Sequence, residues 1–161
     1  MSYEKIIYMD NAATTRTDPR VVEAMLPYFS EKYGNAASQY YELGRQARTA
    51  LGESRDKLAA LIGARPDEIF FTGGSTEADN WGIQGSVLGC KKKHVVTTAI
   101  EHHAVLEPLE WLKKNGYGDF TILPVDKVGL VDHDDLKKAI RPDTGLVTIM
   151  HTNNEIGTMQ D

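Results

Sequence analysis

Residues 68–80, EIFFTGGSTEADN, join a short apolar run to a segment of helical character through two glycines. The run at 68–72 predicts a strand, and the residues from about 76 to 88 predict a helix. The same rhythm recurs downstream. HVVTT (94–98) reads as a strand and HAVLEPLEWLKKN (103–115) as a helix, with Pro108 in its first turn or bending it slightly. DFTIL (119–123) is the next strand, Asp132 caps a helix to about 140, and GLVTIM (145–150) is the last strand. Apolar strands alternating with helices imply an α/β fold, a mostly parallel sheet with flanking helices on both faces. Ligands of such sheets gather beyond the carboxyl ends of the strands.

Upstream, KIIYM (5–9) reads as a short strand and DNAATTRTD as a loop. Asp18 and Pro19 have the character of a helix cap and a first helical residue, with Val21, Val22, Met25, Tyr28 and Phe29 on one side and Gly34 at the end. Residues 40–62 form a long helical segment in which Leu43, Ala47, Ala50, Leu51, Leu58, Leu61 and Ile62 follow the helical period. Gly63 then stands where a left-handed cap is expected.

The 161 residues suit one domain, with 41% hydrophobic and 25% charged residues and a net charge of −5. Neither the charge nor the short run Lys91-Lys92-Lys93, read as a solvated loop, gives the basic footprint of a nucleic-acid binder. Cys90 is the single cysteine, which excludes an internal disulfide and fits a reducing, cytoplasmic setting. No stretch approaches the roughly 20 apolar residues needed to span a bilayer.

Three strand ends carry the candidate chemistry. After EIFFT, the glycines Gly73 and Gly74 let the backbone approach a ligand, and Ser75 and Thr76 offer hydroxyls at a helix start. Free amides and the helix dipole there favour a phosphate. The competing reading is a capping box of Thr76 with Asp79. Neither a Walker loop nor a dinucleotide fingerprint is present. After HVVTT come Glu101, His102 and His103. An imidazole there suits proton transfer or stacking on a planar ligand. The alternative is a surface histidine at a helix start, with Glu101 favouring the dipole. Adjacent histidines on a helix diverge by about 100°, which disfavours a metal site. After GLVTIM come Asn153 and Asn154, amides for a ligand or, with Gly157, a turn. An anion cradle, an imidazole and a carboxamide at one sheet edge match a phosphorylated, planar, electron-withdrawing cofactor.

YMDNAATTRTDPRVVEAMLPYF, YGNAAS, FFTGGSTEADN, TTAIEHHAVLEPL, LPVDKVGLVD and IMHTNNEIGTMQD together resemble the amino-terminal part of cysteine desulfurases of the NifS/IscS kind. The resemblance runs in order along essentially the whole chain. It implies the aspartate-aminotransferase fold and pyridoxal 5'-phosphate as cofactor. Residues 1–161 are then a short segment, 1–18, followed by an incomplete cofactor-binding large domain. It implies that Ser75 and Thr76 hold the cofactor phosphate. His102 stacks on the pyridine ring and takes part in proton transfers. Asn154 bonds the phenolic oxygen near the substrate carboxylate. Asn11 and Ala13 of DNAATT, with Asn35, line the substrate side. Ala36 and Tyr41 depart from the proline and histidine usual in the family, which bears on Asn35.

The family's activity removes sulfur from L-cysteine, leaving alanine and a persulfide on an enzyme cysteine, for iron–sulfur assembly or other acceptors. The Ser-His-Lys motif of the Schiff-base lysine does not occur in these residues, and Cys90 sits in an ordinary Gly-Cys-Lys loop. The expectation is that these residues alone do not desulfurate cysteine. A carboxyl-terminal half or second subunit is expected to complement them, within a homo-oligomer, covering a sheet edge or apolar face left exposed after GLVTIM. A selenocysteine lyase or other class V aminotransferase, and a non-catalytic binding protein, are the alternatives.

Overall fold

The computed structural model describes residues 7–161, and they divide into two compact units between Phe71 and Thr72: the residues up to Phe71, and Thr72–Asp161. The expected strand at 5–9 lies partly outside the described residues, and 7–9 carry no strand.

In the first unit, α1 (Pro19–Met25) starts as the sequence dictates. Asp18 Oδ1 accepts from the Arg20 amide at 2.8 Å, and Pro19 fills the first position, where an amide would be unused. The helix does not run on to Gly34. Pro27 has no amide to continue it, and a separate turn, α2 (Pro27–Ser30), begins there. α3 (Glu42–Ile62) ends on Gly63 at φ 68°, the left-handed cap that its lack of a side chain allows. Its apolar stripe is present but weakly covered. Leu58, Leu61 and Ile62 are exposed, and Ala59 is the buried apolar side chain of this unit among the described residues. The strand expected at 68–72 is not formed. Pro66–Glu68 make a 3-10 turn, the Ile69 carbonyl accepts from Arg55 Nε at 3.1 Å, and Arg55 lies over the Phe71 ring. An apolar run becomes a strand only where a neighbour supplies a ladder.

The second unit is the α/β part. α4 (Ser75–Gly89), β1 (His94–Thr98), α5 (His103–Lys114), β2 (Asp119–Leu123), α6 (His133–Ala139) and β3 (Thr144–Val147) follow in order. The three strands are parallel in the order β2-β1-β3, so β1 is central and buried at all five residues. Pro108 lies inside α5 and is buried, well past its first turn. Register places Val95 beside Phe120 and Leu146. That row packs with Ile83 and Val87 of α4 and Val105, Leu109 and Leu112 of α5. Each such side chain contributes about 1.5–3 kcal/mol on full burial. Ile122 and Val147, on the two outer strands, remain exposed.

Polar groups finish the sheet. Alternation along β1 turns His94 away from the Val95 row. Its Nδ1 lies 2.7 Å from Thr144 Oγ1 and its Nε2 2.9 Å from Thr121 Oγ1, so one buried ring spans all three strands. Burial pushes the His94 imidazole below its ordinary value, Arg141 adds to the shift, and Asp143 and Asp119 oppose it. Asp132 Oδ1 accepts from the Asp134 amide at 2.7 Å, the expected cap of α6. Lys91 and Lys92 are exposed as a solvated loop would be, but Lys93 folds back onto the Val87 and Leu88 carbonyls and closes the end of α4.

Candidate cofactor site

The start of α4 is built without a side-chain cap. Gly74 is the cap residue, and the first helical bond runs from the Ala78 amide to its carbonyl at 3.1 Å. The Thr76–Asp79 capping box is not formed, because the helix begins at Ser75 and Thr76 already lies inside it. Glu77 supplies the carboxyl instead, accepting from the Gly73 amide at 2.6 Å, while Thr72 Oγ1 donates to the Gly74 carbonyl at 3.0 Å. Ser75 and Thr76 are exposed, and neither hydroxyl has a hydrogen-bond partner among the described residues. A side chain at Gly74 would meet nothing within 4 Å, so the approach to this helix start is open.

His102 is the cap of α5. Its Nδ1 accepts from the Ala104 amide at 3.0 Å, which assigns the proton of the neutral ring to Nε2, and the residue is exposed. His102 and Thr76 line one groove of about 570 Å³ between α4 and α5, shared with Asn80, Gln84, Pro108 and Trp111. Thr76 of the α4 start and the imidazole that follows β1 thus share a groove, while Gly73, Gly74 and Ser75 line a neighbouring one together with Thr76 and Asn80. His103 lines the same groove, 4.0 Å from the Glu107 carboxyl, and its ring stands at 69° to that of His102. No cluster of three or more possible metal ligands occurs among the described residues.

The two asparagines have different surroundings. Asn153 is buried: its Nδ2 donates to the Ile100 carbonyl at 2.8 Å, and its Oδ1 accepts from the amides of Glu155 and Ile156. Its backbone pairs with Thr158 and Gly157, and Gly157 takes φ 73°, which closes the turn. Asn154 is exposed at the tip, in contact with Glu155 Oε1 at 3.2 Å. The turn reading holds for Asn153, and Asn154 is exposed beside it. Gln160 and Thr158 brace the loop by bonding Gly129, Val131 and Val128.

Sequence reasoning read Glu101 as a residue that favours the helix dipole. The structure buries it. Its Oε1 accepts from Thr98 Oγ1 at 2.9 Å and from the Met150 amide at 2.7 Å. The signal that could have revealed it is a carboxyl directly after a fully buried strand, where a buried acceptor must find donors. Asn11, Ala13 and Asn35 belong to the first unit. The first two are exposed in the turn after Asp10, and Asn35 accepts from the Ala37 amide at 2.9 Å.

Comparison with known proteins gives a consistent picture. The cysteine desulfurase IscS of Dictyoglomus turgidum is 53% identical over 156 residues, covering 96% of this chain and 39% of the relative. That of Methanosarcina thermophila is 51% identical over 158 residues, covering 97% of this chain and 39% of the relative. Among solved structures, a NifS-like protein superposes with a TM-score of 0.89 at 42% identity, covering 96% of this chain and 42% of that one. A structure of SspA in complex with cysteine gives 0.89 at 37%, covering 95% and 44%. The chain therefore spans about two fifths of the length of the curated relatives it matches. With the family model for class-V aminotransferases matching residues 7–161, the chain belongs to that family of pyridoxal-phosphate enzymes.

Proposed function

We propose that this chain forms the phosphate- and ring-holding part of a cysteine desulfurase, which takes sulfur from L-cysteine. The observation that carries the reading is the shared groove of Thr76 and His102, beside a glycine-capped helix start with two unbonded hydroxyls. A phosphorylated planar group suits these residues. Ser75, Thr76 and the first amides of α4 would hold the phosphate of pyridoxal 5'-phosphate, where the dipole of a 15-residue helix favours an anion. His102 would lie against the ring, and Asn154 would bond its phenolic oxygen. By the family resemblance alone, Asn11, Ala13 and Asn35 would serve the substrate side. Bound there, the cofactor supplies an electron sink for carbanion character at the substrate carbon. His102, capped through Nδ1, offers Nε2 for moving a proton. The Schiff-base amine and the sulfur-accepting thiolate of such an enzyme would be supplied by a carboxyl-terminal half or a second subunit.

Titration with pyridoxal phosphate, followed by absorbance and fluorescence, tests the reading, with sulfide release from cysteine measured with and without the carboxyl-terminal part. Ser75→Ala with Thr76→Val should weaken cofactor binding about tenfold or more, since a hydrogen bond to a charged group contributes about 1.5–3 kcal/mol. Sulfide should appear only on complementation. Equal binding by the double variant and the parent would remove the reading, as would sulfide release by the 161 residues alone.

A further inference from the structure

β1 and β3 are held together by their ladder only as far as the bond from the Thr148 amide to the Val96 carbonyl, 2.9 Å. Beyond it, no backbone hydrogen bond joins 97–102 to 149–154 among the described residues. Yet His102 and Asn154 sit on these two diverging segments. Side chains take over where the ladder stops. Glu101, adjacent to His102, reaches back to the Thr98 hydroxyl and across to the Met150 amide with the same oxygen. Asn153, adjacent to Asn154, reaches across to the Ile100 carbonyl.

Resting on the cofactor reading above, we propose that Glu101 is a positioning residue: its Oε1 clamps the His102 and Asn154 segments into one frame, so that the ring of a bound pyridoxal phosphate meets both groups at fixed separation. The role follows from burial and geometry. Both donors are themselves buried or half-buried, so water cannot replace Glu101 without cost. The requirement is for an oxygen acceptor with two lone pairs, which a glutamine amide also provides.

The test compares the parent, Glu101→Ala, Glu101→Gln and Thr98→Val in the protein complemented with its carboxyl-terminal part. Hydrogen exchange at the Met150 amide and the circular dichroism of bound pyridoxal phosphate are followed, with melting temperature as reference. Glu101→Ala should speed Met150 exchange about tenfold beyond any change in core amides, the equivalent of one lost hydrogen bond. It should also diminish the cofactor dichroism. Glu101→Gln should restore both, and Thr98→Val should fall between. Parent-like exchange and dichroism in Glu101→Ala would overturn the clamp, and so would a glutamine variant as damaged as the alanine one. Should Glu101→Ala not fold, the glutamine and Thr98→Val variants decide. If even the parent binds no pyridoxal phosphate, the cofactor reading fails, while Met150 exchange still decides whether the clamp exists.

Discussion

The two units invest their apolar residues differently. In Thr72–Asp161, α4, α5 and the sheet enclose Leu109, Leu112, Val95 and Val87 at about 2% exposure or less. In the unit that ends at Phe71, α3 carries a comparable stripe, yet Leu61 is 80% and Ile62 69% exposed. Periodicity therefore announces a helix in both units but burial in only one. A helix needs just its own turns, whereas burial needs a covering surface. Ser75, Thr76, His102 and Asn154 all lie in the well-packed unit. There their loops inherit fixed positions from a rigid sheet.

The contrast can be broken hardest by truncation. Leu109→Ala should destabilise by about 2–5 kcal/mol in denaturant titration, by lost burial plus the cavity left behind. Leu61→Ala should stay within about 0.5 kcal/mol. Equal losses would show that the exposed stripe is covered in solution. A smaller effect belongs to the cap of α6: Asp132→Ala should cost about 1 kcal/mol, read from the same titration. The finest effect is a slope with pH. The folded pKa of His94 lies below its unfolded value near 6.5, so the unfolded chain binds more protons in the window below that value. The contribution of His94 is therefore fully present above the window and is lost as pH falls through it. His94→Gln should flatten that part of the stability–pH profile; an unchanged slope would assign it to other groups.

What the sequence disclosed was chiefly local. The bounds of β1 and β2 and the caps at Asp18, Asp132 and Gly63 all follow from short-range pattern. The helix break at Pro27 was also locally encoded, but it was masked by apolar residues that kept the period on both sides. The absence of the strand expected at 68–72 was not readable, because pairing is decided by a distant partner. The duties of Glu101 and Asn153 depend on contacts 49 and 53 residues away. No window of adjacent residues contains them.

One small feature reaches further. Because Nδ1 of His102 closes the first turn of α5, the imidazole cannot swivel without uncapping the helix that Pro108, Leu109 and Leu112 anchor in the core. The ring's tilt is thereby geared to the helix axis. A molecule pressed flat against it would register a nudge to α5 as a change of slant beneath its own face.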